Sequence, residues 1–346
     1  MGVTLQDIAR ASGVSCATVS RVINSSDAVK PETREHVLET IRKYSYVPNA
    51  IARSLSRNET NTIGVVVPDI LNPFFGFVIR GISTVLRNMG YNIALCDTDE
   101  NINYECDSLD MLFEQRVRGI IISPTIEQES SNGMKLLELS QRKTPIVLVD
   151  RDIRVSQYDG VFFDNINAGK DATLALIQAG HQKVAAILGP SSSNACIERC
   201  MGYSSALSMN GLPYDEDYVL YGSYSAESGY EMTNRILLMK NRPTAIFAAS
   251  NSLTVGCITS LLDHHIKIPE EMSVIGFDGT ENFEPFGLHI SYIDRSIGKM
   301  GEAAAKLMVE QINAQPELGR VQKRIIIPAS LVLKGSEVYH GGHKAT

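Results

Sequence analysis

Polar and aromatic residues follow one short apolar run after another in this chain. They are Asp69 and Asn72, Asp97, Ser123, Asp150–Arg151, Gly189–Pro190, Tyr224, Ser250–Asn251 and Asp278. Carboxylate, guanidinium and amide groups set out this way can converge on one small molecule through charge-assisted hydrogen bonds, and an aromatic face can cover its apolar side. This is the chemistry of binding. For bond-breaking the signals are missing: GxSxG, HExxH, GxGxxG and GxxxxGK[ST] do not occur, and AGKD at Ala168–Asp171 lacks the upstream glycine and the hydroxyl of a phosphate loop. Cys196 and Cys200 stand one helical turn apart without a third ligand, and His264–His265 lie near a predicted helix end. The reading is therefore no enzyme, no cofactor and no metal.

These positions need a scaffold to bring them together. From TIGVVVP onward, apolar runs of four to six residues alternate with amphipathic stretches near 75–88, 104–116, 133–142, 166–179, 197–210, 226–240 and 252–265. Strands that are apolar throughout and separated by helices indicate parallel sheets covered on both faces. The pattern restarts near Gly160, which predicts two doubly wound lobes. The first would span about 60–160 and 291–322, and the second about 161–290 and 323–335, with ISYID and RIIIP crossing back and a tail over 336–346. Open α/β sheets bind ligands beyond the carboxyl ends of their strands, which is where the polar residues fall.

A different kind of sequence precedes them. Thr4 can cap a helix with Leu5, Ile8, Ala9 and Ala11 inward, and Gly13 supplies a tight turn. Ser15 can cap a second helix, CATVSRVIN, with Val19, Val22 and Ile23 inward. Two short helices joined by a glycine-containing turn form the helix-turn-helix pattern. Pro31 suits the start of a third, with Val37, Leu38, Ile41 and Tyr44 expected inside. The all-α head is expected to cover 1–45. Over 46–59, Pro48 stops any preceding helix and Asn49 can cap another of two turns, too short to be stable alone. That stretch reads as a conditional helix or as a plain linker.

Charge follows the same division. Residues 1–60 hold eight Lys/Arg against six Asp/Glu, a balance of +2, which leaves −9 on the remainder of a chain whose net charge is −7. A basic head on an acidic body suits a reader of nucleic acid with a sensing body. The opening stretch MGVTLQDIARASG does not read as a signal peptide, and no apolar run reaches the ~18–20 residues of a membrane span. The six scattered cysteines read as buried free thiols in a reducing compartment, and a cytoplasmic location is expected.

TLQDIARASGVSCATVSRVIN, followed by VKPETREHVLETIRKYSYVPNAIARSL, resembles the head of the LacI/GalR family of bacterial transcription regulators. The resemblance implies that the second helix enters the major groove, with Cys16, Ala17 and Arg21 at the base-reading positions. Arg21 is the long donor suited to guanine O6 and N7. Thr18, Ser20 and Asn24 suit phosphate oxygens, and Thr4, Ser15, Asn49 and Arg53 belong to the same DNA-facing set. Leu55 matches the position that wedges into the minor groove, with Ala52 small enough for close approach, so 46–59 becomes a hinge helix. Lys30 stands where the family usually has a Ser or Asp cap.

LNPFF at 71–75, VDRD at 149–152, RCMGY at 199–203, GSYSAESGY at 222–230 and IGFDGT at 275–280 are similar to the effector-binding body of the same family. They also resemble periplasmic sugar-binding proteins, most closely those for ribose. The likeness implies a periplasmic-binding-protein type of fold with a cleft lined by Asn72, Phe74, Phe75, Asp150, Arg151, Arg199, Tyr224 and Asp278. Two departures are Ser250–Asn251, where Asn–Asp is common, and Arg295, where Gln is common. A neutral pentose or hexose is expected there. With Arg151, Arg199 and Arg295 together, a sugar acid or sugar phosphate is the alternative. The implied partners are near-palindromic operator DNA, a second copy of the chain in a homodimer, and the effector, without a membrane.

Overall fold

The structure, a computed structural model, describes residues 3–23, 29–46, 60–125, 131–153, 156–314 and 322–338. The chain divides into two compact units, Met1–Thr60 and Asn61–Thr346. No described helix is long and apolar enough to cross a membrane.

In the first unit, α1 (Leu5–Ser12) begins with a reciprocal cap. Thr4 Oγ1 accepts from the Asp7 N–H at 3.3 Å, and Asp7 Oδ2 accepts from the Thr4 N–H at 3.0 Å. The Thr4 hydrogen bonds hold the Asp7 carboxyl below its usual range. Gly13 closes α1 at φ 64°, a left-handed turn that suits glycine. Ser15 Oγ then caps α2 (Cys16–Ile23), accepting from the Thr18 N–H at 3.1 Å. Pro31 opens α3 (Pro31–Lys43), where Lys30 makes no side-chain cap.

The core of this unit is Ile8, Ala9, Val19, Val22 and Val37, with Leu5, Val14, Ile23, Val29, Ile41 and Tyr46 against it. Ala11, Leu38 and Tyr44 do not join it and are exposed. The buried stripe of α3 runs through 37, 40 and 41, so Thr40 turns inward and satisfies its hydroxyl on the His36 carbonyl at 2.9 Å. On α1 Ser12 takes the inward place in the same way, donating to the Ile8 carbonyl at 2.6 Å.

The second unit contains two six-stranded sheets. The first runs β11-β5-β4-β3-β1-β2, from β1 (Thr62–Val67), β2 (Asn92–Asp97), β3 (Gly119–Ile122), β4 (Ile146–Val149), β5 (Asp159–Phe163) and β11 (Arg324–Ile327). The second runs β12-β10-β9-β8-β6-β7, from β6 (Val184–Leu188), β7 (Val219–Tyr221), β8 (Ala245–Ala248), β9 (Ser273–Phe277), β10 (Ser291–Asp294) and β12 (Ser330–Val332). All pairings are parallel except β10–β12. Helices α4 (Pro73–Asn88), α5 (Ile102–Glu114) and α6 (Ser131–Gln141) belong to the first lobe. Helices α7 (Asn165–Gln178), α8 (Asn194–Met209), α9 (Ala226–Leu237) and α10 (Asn251–Asp263) belong to the second. Val, Ile and Leu fill the strands because both faces of each sheet are covered.

The chain crosses between lobes at places other than those expected. β5 pairs with β4 and so stays in the first lobe, although GVFF reads as the start of a second repeat because no helix separates it from β4. ISYID, expected in the first lobe, is β10 and pairs with β9 in the second. RIIIP, expected in the second, supplies β11 and pairs with β5 in the first. Strands apolar on both faces carry no mark of their partner, so composition could not assign them. A further helix, α11 (Ile297–Asn313), was not read from the sequence; it packs along α4 and returns the chain to the first lobe. The expected tail also begins too early. Ser336 is buried and its Oγ accepts from the Ser291 N–H at 2.7 Å, which ties residues 336–338 to the second lobe.

Candidate functional site

At the carboxyl ends of both sheets the lobes enclose a cavity of ≈ 50 Å³. All ten residues expected there line it. Asn72 caps α4, its Oδ1 accepting from the Phe74 N–H at 3.1 Å, which sets Phe74 and Phe75 in the first helical turn. Their rings meet edge to face, 4.9 Å between centroids, and both are buried. Tyr224 hydrogen-bonds Ser193 Oγ at 3.0 Å. Burial raises the Tyr224 hydroxyl above its usual pKa, so at neutral pH it offers a proton.

The arginines define the electrostatics. Arg295 grips Asp278 with two nitrogens: Nε lies 2.9 Å from Oδ2, and Nη2 reaches the same oxygen. Its Nη1 lies 3.5 Å from Asp150 Oδ1, an ion pair without a hydrogen bond. The guanidinium also lies 4.5, 4.7 and 5.0 Å from the ring centroids of Phe74, Phe163 and Phe277. Burial works against its charge, and the Asp278 carboxylate, together with Asp150 and Tyr224, outweighs that, raising its pKa.

Arg151 makes a two-pronged pair with Glu100, Nη1 to Oε2 at 2.8 Å and Nη2 to Oε1 at 2.7 Å. Arg199 is held differently. Its Nε donates to Asn165 Oδ1 at 3.0 Å and its Nη1 to the Ala249 carbonyl at 2.6 Å, and no carboxylate lies within 4 Å among the described residues. Burial, and then the neighbouring Arg295, lower its pKa. Its place on α8 depends on close approach to α7, because a Cβ at Gly169 would sit 2.3 Å from the Arg199 carbonyl oxygen.

Ser250 Oγ caps α10 by accepting from the Leu253 N–H at 3.2 Å, and Asn251 Nδ2 donates to the Asp278 carbonyl at 2.9 Å. The lining also includes Ser193, Ala195 and Ser252, which sequence reasoning did not single out. Ser193 was legible only as a small polar helix cap after β6. Asp69, Asp97, Ser123, Gly189 and Pro190 follow strands without lining the cavity; Asp97 Oδ1 instead accepts from the Ile70 N–H at 3.1 Å and shapes a loop.

In the head, Cys16, Ala17 and Arg21 are exposed on α2, opposite the face buried through Val19 and Val22. Thr18 and Ser20 are half-buried at its edges. Thr4 and Ser15 are engaged as caps. Asn24, Asn49, Ala52, Arg53 and Leu55 lie outside the described residues, as does nearly all of the 46–59 stretch. Of the six cysteines expected to be buried free thiols, Cys96, Cys196 and Cys257 are buried, Cys106 and Cys200 are half-buried, and Cys16 is exposed.

Residues 4–49 match the sequence family described as bacterial regulatory proteins, lacI family. Residues 60–334 match periplasmic binding proteins and sugar binding domain of LacI family. The chain belongs to the LacI family. Among LacI-family relatives it is 34% identical to catabolite control protein A of Priestia megaterium, over 91% of this chain and 94% of that one. It is 32% identical to the transcriptional regulator DegA of Bacillus subtilis, over 97% and 98%. Among solved structures, a complex of the transcriptional regulator CelR with cellobiose aligns at TM-score 0.72 and 29% identity, covering 96% of this chain and 99% of that one. A lac repressor dimer bound to operator and an anti-inducer aligns at TM-score 0.86 and 23% identity, over 98% and 100%, and shows the shared fold. The LacI-family assignment makes this a DNA-binding regulator with a helix-turn-helix head and a sugar-binding type of regulatory domain.

Proposed function

We propose that the protein is a homodimeric repressor whose affinity for a near-palindromic operator is set by a small carbohydrate-like effector held between its two lobes. The observation that carries this reading is the meeting of ten side chains, from both lobes, around one cavity. Asp150 and Phe74 come from the first lobe, and Asp278 and Arg199 from the second. Carboxylates and guanidinium groups suit hydroxyls, and the phenylalanines suit the apolar face of a sugar ring.

The cavity as it stands has room for about four waters, at ~10–15 Å³ each. A sugar ring therefore requires the lobes to separate. A ligand shifts that equilibrium only through its different affinities for the two arrangements. The resulting displacement of the first lobes in a dimer would respace the two heads, with 46–59 acting as hinge. On DNA, the exposed face of α2 would place Arg21 against a guanine and Cys16 and Ala17 against neighbouring bases.

Selection of bound duplexes from a random library by the full chain tests the reader's half of this proposal. Two inverted half-sites about one helical turn apart are expected from a dimer. Enrichment of a single, asymmetric half-site would contradict it.

A further inference from the structure

We infer that Glu100, which lies outside the cavity, decides which effectors the cleft accepts, by tying up Arg151 and closing the site to anions. The inference rests on the reading of the interlobe cavity as the effector site. Three arginines line that cavity, Arg151, Arg199 and Arg295, against two aspartates, Asp150 and Asp278. Taken alone, the lining would favour an anion. Glu100 supplies the third carboxylate, and it does so through both oxygens on both terminal nitrogens of Arg151. The cleft is then balanced, three charges against three.

Two groups of the lining still lack a hydrogen bond, although one of them, the Asp150 carboxylate, is ion-paired with Arg295. Asp150 Oδ1 is buried without a hydrogen-bond partner. Arg199 uses Nε and Nη1 on Asn165 and the Ala249 carbonyl, and Nη2 has no acceptor among the described residues. A sugar hydroxyl satisfies both needs, since it donates to a carboxylate and accepts from a guanidinium. A ligand carboxylate satisfies only Arg199 and stands unfavourably beside Asp150. The two unmet groups thus fit a neutral polyol.

The backbone holds Glu100 in place at a cost. Asp99 and Glu100 are consecutive non-glycine residues at φ 49° and 52°, in the left-handed region. The loop after β2 is anchored by the Glu100 N–H on the Pro68 carbonyl at 2.7 Å. Strain of this kind persists where surrounding contacts over-determine it. Here the contacts that hold the loop are the Pro68 carbonyl and Arg151, whose side chain is almost fully buried, whereas that of Glu100 is half exposed. Arg151 therefore sits in the cleft wall with its donors turned to a residue of the rim.

The test uses the full-length protein and matched probes: glucose with glucuronate, galactose with galacturonate, ribose with ribonate, and inorganic phosphate as a bare anion. Binding is read by thermal shift and calorimetry. Wild type is expected to bind at least one neutral sugar at least tenfold more tightly than its acid twin. Glu100→Gln keeps the shape and one acceptor on an exposed loop, and its unliganded melting transition checks folding. In this variant the acid-to-neutral ratio should rise at least tenfold, and adding Arg151→Met should abolish the rise. A purely structural role for Glu100 would lower all affinities together and leave the ranking unchanged, which would overturn the inference. Wild-type preference for the acids, or phosphate binding equal to the sugars, would overturn it while leaving the cleft as the effector site. Binding of none of these probes would remove that reading and the inference with it.

Discussion

Asp150 and Asp278 occupy matching places in the two lobes. Each follows the third strand of its sheet, at φ 64° and 49°, and each donates its backbone N–H at 2.9 Å to the neighbouring strand, to Val161 and Ile293 respectively. The left-handed turn ends the strand abruptly and leaves a carboxylate at its carboxyl end; Asp tolerates that conformation better than most residues. Arg295 lies between the two, gripping Asp278 and pairing with Asp150. Among the described residues it is the one cation paired with carboxylates of both lobes.

Removing that cation should be costly to the fold. Arg295→Met retains the stem between the phenylalanine rings but leaves the buried Asp278 without its charge partner. Breaking one side of a buried pair costs about 3–5 kcal/mol. Urea denaturation of the body should show a loss in this range, with Asp278→Asn in addition recovering part of it. A change below ~1 kcal/mol, the usual value of a solvent-exposed pair, would mean that the pair is open to water.

Arg21 should matter for sequence reading and not for stability, because its side chain is exposed on α2. Arg21→Ala is expected to weaken binding to the selected operator by about 1–3 kcal/mol and to relax preference at one base pair in each half-site. Fluorescence anisotropy across single-base operator variants checks this. A uniform loss across all variants would assign Arg21 to a phosphate.

Glu105 predicts a pH effect on the body. Its carboxyl is fully buried, accepting from the Thr125 N–H at 2.6 Å and from Asn132 Nδ2 at 2.9 Å, and burial raises its pKa above 4.5 despite these donors. Between the raised folded value and the unfolded value near 4.5, the folded body holds the proton and the unfolded chain does not. Lowering the pH through that window therefore favours folding through this group, and the gain is complete once both states are protonated. In Glu105→Gln the amide must point an N–H at one of the two donors, so it should be less stable than wild type. The gap should widen as pH falls toward 4.5, read from chemical denaturation at a series of pH values.

The amino-acid pattern revealed the parts of the site governed by local rules. Strand ends carry ligand groups in open α/β sheets, so Asp150, Tyr224, Ser250 and Asp278 could be picked out before any coordinates, and resemblance added Phe74, Phe75 and Arg199. Their partners could not be picked out. Glu100 and Arg151 are 51 residues apart, and Arg199 and Asn165 are 34 apart; each pairing follows from helix and loop placement rather than spacing. The three arginines suggested a cationic cleft for the same reason, since the carboxylates that balance them become apparent only when the chain is folded. Likewise β5, β10 and β11 were readable as strands but not by sheet, and α11 escaped notice behind an ISYID strand taken for a simple crossing.

If the cavity between the lobes controls the head, operator affinity responds to occupancy of that cavity. The most direct measurement is the affinity of the full chain for its selected operator at fixed salt, with and without whichever neutral sugar stabilises the body. Wild type should change its operator Kd by at least fivefold, within the range usual for coupling between two sites. Arg199→Met should bind operator as wild type does and show no response to the sugar. A sugar that stabilises the body in proportion to its occupancy yet leaves operator affinity unchanged would mean that the cavity does not control the head.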